Sequence, residues 1–234
     1  MGHGFCAFLF SYDWACFMPA VIDSPRVLLK DRAYEALKAL ILQEVFPPGS
    51  FLSERQLVVR LEMSKTPIRA ALERLESEGL VSVSPQQGIL VREISVHEVV
   101  DIFDVRIALE RFAIQRLAGV LSAEQQAQVE QNLSEQKQAL IQGDVPVFTE
   151  LDADFHMMLC GFLGNREVVH VMRRLRDRLY RIALQVLRHD VNRIRTSYEE
   201  HREIFDMLVA RDGARAADLI DAHLAYGKQV LISR

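Results

Sequence analysis

Residues 52–91 read LSERQLVVRLEMSKTPIRAALERLESEGLVSVSPQQGILV, a stretch that predicts two short helices and a hairpin. Ser53 followed by Gln56 is a capping box, in which each side chain satisfies the other residue's backbone N–H. The helix it opens points Leu57 and Leu61 inward. A tight turn over Glu62, Met63 and Ser64 leads to Thr66 and Pro67, with Thr66 expected to cap a second helix and Pro67 to take its first position. Ile68, Leu72 and Leu75 make the inward stripe of that helix, leaving Lys65, Thr66, Arg69 and Glu73 outward. Gly79 ends it, and residues 80–83 and 89–92 predict two strands joined by Ser84, Pro85, Gln86, Gln87 and Gly88. Two helices about a tight turn, with a hairpin behind them, predict a winged helix-turn-helix.

That geometry places the first residues of the second helix at the major groove of double-stranded DNA, where Arg or Lys pairs with guanine or phosphate. Lys65 and Arg69 stand there. Gly88 lets the wing approach the DNA backbone or minor groove closely. Spacing alone leaves Arg69 open between this role and a solvated i, i+4 pair with Glu73.

The rest of the chain frames this segment. At 234 residues, 50% hydrophobic and 26% charged, the composition suits one large or two modest globular domains. Cys6, Cys16 and Cys160 are odd in number and lack paired spacing, which argues against a disulfide framework or zinc ribbon and for a reducing cytoplasm. The net charge of -4 carries no whole-chain signature of nucleic-acid binding, which needs a basic face rather than a basic average. Residues 28–92 hold nine Lys and Arg against eight Asp and Glu, so the front is the less acidic part. The apolar start, MGHGFCAFLFSYDWACFM, lacks the basic region of a signal peptide and is too short to span a bilayer. It is expected to be a disordered extension, or to precede a true start at Met18, ahead of a membrane tether.

Residues 1–26 therefore form an extension and residues 27–93 the winged domain, which begins with an amphipathic helix over residues 27–44 stopped by Pro47, Pro48 and Gly49. Residues 94–234 form a third part that is almost all helix, with segments at 96–118, 123–142, 145–163, 167–188, 191–211 and 214–232. The expected fold class is mainly α: a winged helix-turn-helix with a small hairpin, then an antiparallel bundle of about six helices.

Within that bundle Asp152 and His156 lie four residues apart on one helix face, a spacing that either holds a metal ion or lets the two hydrogen-bond. Cys160 continues the face, as a buried apolar residue or a soft-metal ligand. His201 and His223 stand on two later helices and join a site only if the fold brings them together. Arg106 falls on an apolar face with Val99, Phe103 and Leu109, so its charge needs a partner. Glu110 is one choice and an effector carboxylate another; cation before anion is the poorer order on a helix. Asn165, after Gly164, is a turn residue or an effector contact.

The front motifs, S-E-R, S-K-T-P-I-R, E-G-L-V and P-x-x-G in order, resemble the DNA-binding domain of GntR-type transcription regulators. The resemblance implies operator contacts by Arg55, Lys65, Thr66 and Arg69, with Gly88 at the wing. Lys65 replaces the family's usual Arg, and Gln87 a residue that is often basic; Lys lacks the bidentate fork, so operator preference is expected to differ. The rear, from about His97 to Leu231, resembles the all-helical ligand-binding FCD domain of the FadR branch. Its marks are V-R-I-A-L-E near Arg106, D-A-D-F-H at Asp152 to His156, G-N at Gly164, E-H at Glu200 and a final H-L at His223. This implies a divalent ion, zinc or else nickel or another first-row metal, held by Asp152, His156, His201 and His223, with Arg106 binding an effector carboxylate. A cytoplasmic homodimer whose operator affinity responds to a small carboxylate is the expected function. Two alternatives stand beside it: a metal-dependent hydrolase or lyase using the same four ligands, and a regulator with no small-molecule effector.

Overall fold

The computed structural model describes residues 28–189 and 192–232; the expectations for residues 1–26, with Cys6, Cys16 and Met18, lie outside the described residues. The front comprises α1 (Leu29–Leu42), β1 (Phe51–Leu52), α2 (Glu54–Leu61), α3 (Lys65–Ser77), β2 (Val81–Ser84) and β3 (Gly88–Val91). Its core is one apolar cluster in which Leu37, Leu57, Ile68, Leu75, Leu80 and Ile89 are fully buried.

The Ser53–Gln56 box opens α2, with Ser53 Oγ accepting from the Gln56 N–H and Gln56 Oε1 accepting from the Ser53 N–H. Glu62 then takes φ 52, the left-handed turn that separates α2 from α3. Two local expectations need correcting. α3 begins at Lys65 with Ser64 as its N-cap, so Thr66 is not the cap and Pro67 is the third helical residue. Proline is tolerated there because first-turn N–H groups have no acceptor within the helix. The sheet also has a third strand: β1 pairs antiparallel with β3, giving the order β1-β3-β2 with Phe51 opposite Leu90. A two-residue strand has no periodicity to read, and its partner lies far along the chain.

The rear comprises α4 (Val96–Leu117), α5 (Ala123–Gln142), α6 (Val145–Phe162), α7 (Arg166–His189), α8 (Arg193–Val209) and α9 (Gly213–Ile232), the six expected helices. Capping boxes at Ser95 and Ser122 start α4 and α5, and Asn165 Oδ1 accepts from the Glu167 and Val168 N–H groups at the start of α7. Asn165 is thus a helix cap. Phe155, Met172, Ile204 and Ile220 lie at the centre of the bundle core. No helix among the described residues is long and apolar enough to cross a membrane.

Helix α7 also touches the front. Asp177 pairs with Lys38 of α1 at 2.5 Å, Arg188 pairs with Glu44, and buried Arg181 donates to the Arg92 carbonyl at 2.6 Å.

Candidate metal centre and nucleic-acid interface

Asp152 and His156 sit one turn apart on α6, where helical spacing turns both toward the bundle axis. α8 brings His201 and α9 brings His223 to the same point. All four residues are buried, and one ligand atom from each lies within 4.8 Å of the others.

The outer nitrogens explain how the rings are aimed. His156 Nδ1 is 2.5 Å from Glu110 Oε2, His201 Nδ1 is 2.9 Å from Gln136 Oε1, and His223 Nδ1 is 2.6 Å from Glu200 Oε2. Glu110, Gln136 and Glu200 are acceptors, so an Nδ1 proton on each ring meets one of them and leaves each Nε2 with a lone pair; at His223 the Arg193 guanidinium also lies close, Nη2 to Nδ1 at 3.2 Å, behind the shorter contact to Glu200. The Gln136 amide is oriented by a chain: its Nε2 donates to Asn132 Oδ1, and Asn132 Nδ2 donates to the Leu151 carbonyl. His201 Nε2 therefore faces His223 Nε2 at 3.3 Å and Asp152 Oδ1 at 3.5 Å, acceptor against acceptor, while buried His156 Nε2 has no hydrogen-bond partner. Lone pairs converging in this way repel one another unless a cation sits among them. Imidazole and carboxylate donors with carboxylate or amide groups behind them suit a first-row divalent ion.

Electrostatics keep the set ready. Burial lowers His201 well below the usual histidine value and also lowers His223, favouring the neutral, ligating form. Burial by itself would raise Glu110, but Arg106 and His156 outweigh it and hold the carboxyl at about 2. Glu200 behaves likewise, with His223 and Arg193 overcoming burial to hold it at about 2.

Cys160 does not join the four. It is buried in the apolar core and burial pushes its thiol well up, so the soft-metal alternative gives way to the packing one. Arg106 takes the Glu110 partner, Nε to Oε1 at 2.5 Å, with both residues buried. It also lines the two narrow cavities that flank Asp152. Sequence reasoning missed Gln136, Glu200 and Arg193 as supports of the centre; only Glu200, next to His201, stood near a recognised mark.

In the front, Arg55, Lys65, Thr66 and Arg69 are all exposed. Arg69 does not pair with Glu73. Its Nε and Nη2 grip Glu54 at 2.8 and 3.0 Å, tying the start of α3 to the start of α2 and holding the Glu54 carboxyl below the ordinary range. Gly88 has φ 89, and a Cβ there would meet the Leu52 carbonyl oxygen at 2.7 Å. The β1 strand next to it thus supplies a structural reason for the glycine.

Comparison with known proteins agrees with both halves. Residues 29–91 match the family of bacterial regulatory proteins called gntR, and residues 101–226 match the FCD domain. The HTH-type transcriptional repressor RspR of Escherichia coli (strain K12) is 29% identical over 201 residues, covering 86% of this chain and 88% of its own. The Nta operon transcriptional regulator of Aminobacter aminovorans is 30% identical over 182 residues, 76% of this chain and 83% of its own. A transcriptional regulator GntR from Rhodococcus sp. RHA1 has the same fold, with a TM-score of 0.77 at 20% identity over 87% of this chain and 97% of that one.

Proposed function

Since the chain belongs to the gntR family of bacterial regulatory proteins and carries an FCD domain, it is a DNA-binding transcription regulator, and we propose that a small carboxylate bound at a divalent metal ion sets its operator affinity. The relatives are regulators, so the hydrolase or lyase alternative is set aside.

One observation carries the sensing half of this reading: four buried acceptor atoms, on Asp152, His156, His201 and His223, converge with no donor from the described residues among them. Those residues would hold the ion, zinc or another first-row metal, whose open positions attract a carboxylate oxygen. Arg106, with Nε on Glu110, turns its remaining N–H groups to that acid. Residues 94–234 sense and dimerise, while residues 27–93 read DNA as one half of a homodimer, through Arg55, Lys65, Thr66 and Arg69 with Gly88 in the wing. A nearly neutral front binds phosphate weakly as a single copy, which favours paired half-sites.

Helix α7 supports a route between the halves. Ile182 and Val186 wall one cavity at the centre, and Met172 and Leu179 wall the other. Asp177, Arg181 and Arg188 of the same helix hold the front. Filling the site shifts the balance between arrangements of α7 and hence of the winged domain.

Metal analysis of the purified protein is expected to return about one divalent ion per chain, since the four ligand atoms converge on a single point. His201→Ala is expected to remove it. A folded protein that neither contains nor takes up zinc, nickel or cobalt would overturn the metal reading.

A further inference from the structure

We infer that the acid accepted by this site carries a single negative charge, so that monocarboxylates bind in preference to di- and tricarboxylates. The inference rests on the effector reading above and narrows it.

The cations lining the two cavities are Arg106, Arg193 and Arg176, and each already has its anion within the chain. Arg106 is neutralised by Glu110 in a buried pair at 2.5 Å. Arg193, also buried, grips Glu200 through two bonds of 3.0 and 2.7 Å and lies over the Tyr226 ring at 4.1 Å, which fixes its plane. Arg176 pairs with Glu150 and Asp154. Two of these pairs, Arg106–Glu110 and Arg193–Glu200, end on Nδ1 of a histidine in the cluster.

Asp152 is then the one carboxylate facing the centre without a counter-ion among the described residues. Imidazoles that bind a metal through a ring lone pair add no charge. A divalent ion on this set leaves one net positive charge, which one carboxylate cancels. A second carboxylate would enter buried surroundings with no cation left for it, and an unpaired buried charge is strongly disfavoured. The arginines still assist through geometry: Arg106 Nη1 and Nη2 make no hydrogen bond to the described residues, so they can donate to the acid without adding net charge.

The test compares ligands of one shape and two charges. Full-length zinc-loaded protein is titrated calorimetrically with malate and succinate, each against its own half-amide, and with lactate and acetate. Each half-amide is expected to bind about tenfold or more tighter than its diacid, as one uncompensated buried charge implies. Glu200→Gln releases the charge of Arg193 and should narrow that gap to about threefold or less by the same argument. Zinc content measured on the same samples separates this effect from loss of metal through His223. Arg193→Met, which removes the cation, should weaken every acid and leave the gap at least as wide, so a misfolded Gln variant does not end the test. Diacids binding as tightly as their half-amides would overturn the single-charge inference and leave the effector reading standing. Failure of all these acids to bind the zinc-loaded protein would overturn the effector reading itself.

Discussion

Glu110, Gln136 and Glu200 each take the outer nitrogen of one imidazole, and in doing so they decide where the inner lone pairs point. The four candidate ligands were legible as residue types in recognisable motifs; Glu110 and Glu200 stood in such motifs but not as holders of the rings, and Gln136, on α5 and 65 positions from His201, stood in none. Neutral buried histidines carry a pH signature. In metal-free protein the folded-state values of His201 and His223 lie below the ordinary 6.5. The unfolded chain takes up protons first, so this part of the stability is full above about 6.5 and is lost as pH falls from there through the folded-state values. Thermal melts of chelator-treated protein should show a falling Tm below that point, whereas a flat Tm from about pH 7.5 to 5.5 would mean the two rings do not titrate in this way. In the front domain, Arg69 was recognisable as an outward residue, but its partner Glu54, 15 positions away, was not. Arg69→Ala is expected to lower operator affinity about tenfold or more in a gel-shift or anisotropy titration while the fold and the oligomeric state stay as in the wild-type chain. Unchanged affinity would remove Arg69 from the reading surface.

Among the elements, the wing shows how a correct segment can be recognised for an incomplete reason. The hairpin was readable from its β-branched residues and its Pro–Gly turn, and Gly88 was read as a point of approach to DNA. β1 adds a second demand, because its Leu52 carbonyl occupies the space a side chain at 88 would need. Gly88→Ala is therefore expected to cost about 1–3 kcal/mol of stability, from positive φ and the backbone contact together. Denaturant unfolding measures it. Full stability with lost operator binding would return the residue to a purely DNA-facing role. The start of α3 teaches a related lesson: Ser64, Thr66 and Pro67 are all acceptable near a helix start, so composition alone left the boundary ambiguous by two residues.

For the whole molecule the proposed control needs a connection between the buried centre and the front; α4 makes one through Glu98 and Arg92, and α7 another. Arg181 is buried, gives one N–H to the Arg92 carbonyl, and leaves Nη1 without a partner. On the proposed coupling, Arg181→Met is expected to take up metal like the wild-type chain yet show a smaller difference in operator affinity between metal-loaded and chelator-treated protein, measured by operator titration. An undiminished response would place the coupling elsewhere. The helices, most of their caps, the wing and the residue types of both sites were readable locally, since these follow from patterns repeated within a few residues: the 3.6-residue apolar period, the Ser–x–x–Gln box, the glycine stop. Long-range packing settled that α6, α8 and α9 meet at one point, that Arg69 turns to Glu54, that β1 joins the sheet and that Arg106, Arg193 and Arg176 beside the centre are already paired. Periodicity states which face of a helix avoids water, but not which other helix covers it. The site's charge and geometry therefore arise from contacts that no local pattern encodes.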